Sequence, residues 1–215
     1  MFAQLIDLFL HIDVRLESIL NAYGALTYAI LFLIVLCETG LVVTPFLPGD
    51  SLLFAAGAFA AKGMMDITIL FILLSVAAIL GDSLNFSIGK KFGAAIENRN
   101  SRLIKREYIG RTRAFYARHG GKTIVFARFM PIIRTFAPFV AGVGKMNYFK
   151  FISYNVFGGL LWVILFLGAG YFFGSIPFVE ENFTIVILVI IFVSILPGVV
   201  GWIRSLVRSR DIVSR

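Results

Sequence analysis

Glu38, Asp50, Asp82, Arg128 and Arg134 each interrupt a stretch of sequence that is otherwise mainly apolar. An ionisable side chain at the centre of a membrane helix costs at least about 2.5 to 3.5 kcal/mol. Such residues usually face one another or water along a substrate or ion path. Arg128 lies about 9 Å of helix beyond Lys122, so its long side chain could still reach the lipid headgroups, whereas Arg134, about 18 Å along, could not do so easily. On an unbroken helix the two arginines point about 120° apart and share a cavity only if the chain breaks between them, where Pro131 stands. Held together, two guanidiniums offer planar, forked donors suited to a phosphate.

The three acids lie in contrasting contexts. Glu38 has no cation near it in sequence, and a carboxylate in hydrocarbon without a partner suits a proton carrier. Asp50 follows Pro48-Gly49 and precedes Ser51, which fits either a role in transport or a cap on the helix that begins there. Asp82, among Gly81, Ser83, Asn85 and Ser87, is either functional or simply solvated or paired with Lys90, about 12 Å further along.

The elements that must position these residues are membrane helices. Of the 215 residues 59% are hydrophobic and only 15% charged, which is too apolar for a soluble globule of this size. Residues 67–89, 148–173 and 183–203 each hold at most one charge and approach the roughly 20 residues a helix needs to cross about 30 Å of hydrocarbon. Residues 24–61 would make one helix about 57 Å long, so the chain must turn back, and Pro45, Pro48 and Gly49 mark the place. Residues 123–144 are interrupted in the same manner by Pro131 and Pro138.

Charge sets the topology. Residues 90–122 hold ten of the twenty Lys and Arg against Glu97 and Glu107, which accounts for the whole net charge of +8. That segment and the arginine-rich tail 204–215 are expected in the cytoplasm, and the acidic loop 174–182 outside. The agreement holds only if residues 123–144 form a re-entrant hairpin from the cytoplasmic side, matched by an outer hairpin at 45–61. The expectation is an all-α integral membrane domain over 1–215, with four transmembrane helices and two re-entrant helical hairpins in an inverted-repeat arrangement. Its parts are an amphipathic surface helix at 1–22, a first half at 24–89, the basic segment 90–122 with a further surface helix at 103–118, a second half at 123–203, and the tail. Both termini are cytoplasmic. Two proline-broken segments at corresponding places of opposed halves point to a transport site near the midplane; the pair Ala56-Gly57 against Ala141-Gly142 is the trace of such a repeat.

The basic run is explained by anionic lipid, and no nucleic-acid partner is expected. His11 and His119 are read as surface residues and Cys37 as a lone thiol. No His-rich spacing, nucleophile elbow or phosphate-binding loop occurs, so no enzyme activity, metal or cofactor is expected.

The segments Glu38-Thr39-Gly40 and Phe46-Leu47-Pro48-Gly49-Asp50-Ser51, with Arg128-Phe129, Pro131, Arg134-Thr135, Pro138 and Ala141-Gly142, resemble the DedA family, whose shared region is also called the SNARE-associated or VTT domain. The resemblance covers nearly the whole chain. It implies a protein of the bacterial cytoplasmic (inner) membrane with paired re-entrant hairpins, acidic residues at Glu38 and Asp50, and functional arginines at Arg128 and Arg134. Bacterial members are linked to recycling of undecaprenyl phosphate and to proton-motive-force homeostasis, and eukaryotic relatives scramble phospholipids. The expected function is movement of an anionic polyprenyl-phosphate lipid between leaflets. Arg128 and Arg134 would bind substrate; Glu38, Asp50 and Asp82 would serve proton coupling. The expected partners are membrane lipids and protons, with homo-oligomers allowed. The alternatives are a proton-coupled exporter of small cations or drugs, and a non-transporting membrane organiser or phospholipid scramblase.

Overall fold

The computed structural model describes residues 24–41, 49–98, 120–183, 185–190 and 192. The expected surface helices at 1–22 and 103–118, the breaks at Pro45 and Pro48, most of the last span and the basic tail lie outside these residues.

Among the described residues all regular structure is helical: α1 (Ala25–Gly40), α2 (Gly49–Ala61), α3 (Ile67–Asn98), α4 (Lys122–Ala127), α5 (Pro131–Val143), α6 (Tyr148–Phe173) and the short α7 (Pro177–Glu181). Two of them, α3 over Ile67–Ala94 and α6, are long and apolar enough to cross a membrane. Helix α3 runs nine residues past the expected end at Gly89, carrying Lys90 and Lys91 in the same rod. Large apolar residues recur along one stripe of it, at Ile69, Ile72, Val76, Leu80, Leu84 and Ile88, and all are exposed. Such a stripe on the outer face suits a hydrocarbon solvent.

Helix α2 has the opposite character. Its 13 residues span about 20 Å, too short to cross, and nearly all of them are buried. The segment 122–143 is likewise two short helices rather than one unbroken helix. After α4 the amide of Phe129 reaches Phe126 O and that of Met130 reaches Ala127 O. These tight i→i−3 bonds end the helix; Met130 is extended and Pro131 starts α5 at its first position, where the missing N–H costs nothing. Pro138, expected to mark a break, does not make one. It lies inside α5, which continues to Val143, because a proline removes a single turn's hydrogen bond and neighbouring packing can carry the helix through.

The two halves correspond in detail. Helix α2 packs on α6 and α5 packs on α3. A Cβ on Gly57 would strike the α6 backbone at Leu167 O and Tyr171 N, and one on Gly142 would strike the α3 backbone at Phe86 O and Lys90 N. Both contacts bring helix backbones together in the way small residues allow within membranes. The joints also match. Between α2 and α3, Gly63 has φ 75° and the amide of Met64 bonds Phe59 O; between α5 and α6, Lys145 has φ 55° and the amide of Met146 bonds Ala141 O. Each joint closes with a side-chain cap: Asp66 Oδ1 accepts from the amides of Thr68 and Ile69, and Asn147 Oδ1 from those of Phe149 and Lys150. Capping of this type satisfies the first free amides of a helix.

Candidate functional site

The break before Pro131 decides the geometry of the two arginines. It turns the chain so that both guanidiniums come to one indole: Arg128 Cζ is 5.9 Å and Arg134 Cζ 5.2 Å from the Trp162 ring centroid. Both arginines are buried, at 3% and 6% exposure, as are Glu38, Asp50 and Asp82. Arg128 therefore does not snorkel to the headgroups.

Arg134, on α5, bridges two acids from the first half of the chain. Its Nη1 donates to Asp50 Oδ1 at 2.7 Å and its Nη2 to Glu38 Oε1. Glu38, expected to lack a cation, thus has one from 96 residues away. The same Glu38 Oε1 accepts from the amide of Gly49 at 3.1 Å. A Cβ on Gly49 would fall on the Glu38 carboxylate, so the glycine at the start of α2 is what lets that acid reach the backbone. Asp50 lies in the first turn of α2, where the helix dipole favours a negative charge. Its Oδ1 also accepts from Trp162 Nε1 at 2.8 Å.

Arg128, at the turn between α4 and α5, is held by the two long helices. Its Nη2 donates to Asp82 on α3 and, at 2.6 Å, to Asn155 Oδ1 on α6. Asp82 is therefore paired across the fold and not with Lys90. Asn155 Nδ2 donates in turn to Ile79 O and Ser83 Oγ of α3, which fixes which end of the amide faces the guanidinium. One turn beyond Asp82, fully buried Asn85 donates to Thr39 O and Thr135 O, beside Glu38 and Arg134. This amide ties α1, α3 and α5 together at the level of the ion pairs.

The structure thus brings Glu38, Asp50, Asp82, Arg128 and Arg134 into one buried network, with three carboxylates to two guanidiniums. Pro131 sits at its turn, Gly49 lies against it, and Pro138 stands one helical turn past Arg134. Burying so many charges is costly even when they are paired, and at membrane depth such groups mark substrate or ion pathways. Some polar capacity is unused: Arg128 Nε and Nη1, Arg134 Nε and Glu38 Oε2 are buried without a hydrogen-bond partner. No group of His, Cys, Asp and Glu among the described residues is arranged to hold a metal ion.

Trp162 and Asn155 join the site although the sequence shows them only as members of the apolar span 148–173. Their signals were present. Asn155 is an amide within a helix otherwise made almost wholly of apolar residues, and Trp162 sits mid-span, whereas membrane tryptophans concentrate at the interfaces.

A bundle of apolar helices around a buried network of this kind is consistent with a helical membrane protein. The VTT domain family matches residues 47–172. The chain is 57% identical over 203 residues to Protein DedA of Escherichia coli strain K12, covering 93% of each. It is 42% identical over 187 residues to the uncharacterized membrane protein Rv0364 of Mycobacterium tuberculosis, covering 86% of this chain and 82% of that one. It is 36% identical over 152 residues to the inner membrane protein YqjA of E. coli K12, covering 70% and 69%. The chain belongs to the DedA family of membrane proteins. No solved structure matches it.

Proposed function

We propose that this protein transports an anionic lipid carrier such as undecaprenyl phosphate between leaflets, with no enzymatic step. In this reading Arg128 and Arg134 form the substrate site and Glu38 or Asp50 carries a coupling proton, Asp82 belonging to the same relay. The observation that carries it is a guanidinium pair buried at a helix break, facing one indole, with N–H donors left unused. A fixed array of such donors suits a phosphate. An apolar groove of about 350 Å³ between α3 and α6, lined by Ile67, Phe71, Ile164, Leu167 and Tyr171, supports a substrate with a hydrocarbon tail. The test is leaflet exchange in proteoliposomes, comparing labelled polyprenyl phosphate with an ordinary phospholipid. Faster exchange of polyprenyl phosphate that responds to an imposed pH gradient is expected; equal rates with and without protein would end the reading. The excess of carboxylates over guanidiniums favours one rival, a proton-coupled cation exporter, which the same vesicles would reveal by cation-dependent loss of the pH gradient. An inert organiser would do neither, and a scramblase would move both lipids alike.

The membrane arrangement in this reading has four crossings and two re-entrant hairpins in inverted halves, in the inner membrane, with both termini and residues 90–122 on the cytoplasmic side. Support comes from the placement of the basic residues and from the matched packing of Gly57 and Gly142. In a Cys37→Ala background, Arg106→Cys, Glu180→Cys and Arg210→Cys should react with an impermeant thiol reagent applied outside only at position 180. Labelling at 106 from outside would overturn this topology.

A further inference from the structure

The two arginines are not equivalent. Arg134 spends both terminal nitrogens on carboxylates, Asp50 from α2 and Glu38 from α1, and keeps only its Nε. Its surroundings hold two negative charges to one positive, so an incoming anion meets repulsion there. Arg128 faces one carboxylate, Asp82, and directs both of its bonds from a single nitrogen, Nη2. Its Nε and Nη1 are buried and have no partner. Two whole nitrogens are thereby without a partner on Arg128, against one on Arg134. Buried donors left without acceptors are rare and carry a cost, and a ligand oxygen would remove it.

The unused side of Arg128 faces a residue without a side chain. Gly159 of α6 lies opposite, and a Cβ there would stand 3.3 Å from Nη1. The turn that carries Arg128 is flanked by Phe126, 70% exposed, and by Met130, 37% exposed, while Arg128 itself is buried.

We infer that Arg128 alone receives the phosphate, through its Nε and Nη1 hydrogens, while Arg134 is a strut that joins α1, α2 and α5 through Glu38 and Asp50. The ligand class is a phosphate or phosphate monoester anion. Asp82 and Asn155 act as positioning residues, since they hold Nη2 and so aim the rest of the guanidinium. This narrows the substrate site of the transport reading from two guanidiniums to one, removing Arg134 from it, and rests on that reading only for the lipid tail of the ligand.

The test is binding of farnesyl phosphate and, separately, inorganic phosphate to the full chain in detergent, with melting temperature read on every variant. Arg128→Lys keeps the charge but loses the fork and should weaken farnesyl phosphate by about 10- to 100-fold. Arg134→Lys should cost less than about threefold in affinity, its defect appearing in the melting temperature. Gly159→Ala places a methyl 3.3 Å from Nη1 and 3.2 Å from Ile79 Cγ1, a side-chain end that can shift, and should weaken the ligand with a smaller loss of melting temperature than Arg134→Lys, which decides the matter if Arg128→Lys does not fold. Equal losses in the two lysine variants, or wild-type affinity in Arg128→Lys or Gly159→Ala, would overturn the division of roles. Arg128-dependent binding of inorganic phosphate without farnesyl phosphate would keep the division and remove the lipid reading. Binding of neither probe by the wild type would remove both.

Discussion

Asp82→Leu should lower the stability of this protein by about 3–5 kcal/mol, the cost of leaving one member of a buried ion pair without the other. The double variant Asp82→Leu/Arg128→Met should regain most of that loss, because a buried pair replaced by apolar side chains of similar volume is often neutral or stabilising. The two single variants should differ. A carboxylate left alone can take up a proton, whereas an arginine cannot give one up, so Asp82→Leu should be more harmful than Arg128→Met. Unfolding in detergent, with monodispersity as the check on the folded state, measures all three. A double variant no more stable than Asp82→Leu would show that Asp82 supports the fold through something other than its pair with Arg128.

The second large effect concerns backbone contact. Gly57→Ala and Gly142→Ala each put a methyl where the structure has the carbonyl of a facing helix, Leu167 O in one case and Phe86 O in the other. A backbone cannot swing aside as a side chain does, so each should cost about 1–3 kcal/mol, the usual range for overpacking. The two losses should be alike. Gly168→Ala is the internal control, since a Cβ there meets nothing within 4 Å, and it should stay within about 0.5 kcal/mol of wild type. If Gly57→Ala and Gly142→Ala behave like Gly168→Ala, the close approach of α2 to α6 and of α5 to α3 is not a source of stability.

Much of the site could be read in the chain because its signals are local. A charge in an apolar run is conspicuous wherever it falls, and a proline at the start of a limb follows from the missing N–H. What could not be read is pairing. Glu38 looked solitary because its partner Arg134 is 96 residues away, and Asp82 looked like a companion of Lys90 because helical spacing is the only proximity a sequence displays. Trp162 and Asn155 escaped for a related reason. In a helix surrounded by hydrocarbon and neighbours alike, apolar residues on every face hide which side meets the interior, so the few polar groups that matter carry no periodic mark. Pro138 misled in the opposite direction, because a breaker seen in sequence tells nothing of the packing that holds the turn together around it.

The crossed packing of the limbs has a mechanical corollary. Helix α2 is tied by a tight joint to α3 yet rests on α6, and α5 is tied to α6 yet rests on α3. The molecule is therefore clasped like two hooked fingers: pulling the halves apart loads both glycine contacts at once, and neither can open alone. Any motion that exposes the ion pairs must instead slide the hooks along one another, a shear in which what one contact gains in register the other shares. For the proposed transport, interlocking of this sort would make opening toward the two faces a single coupled movement, with no state in which both sides stand open.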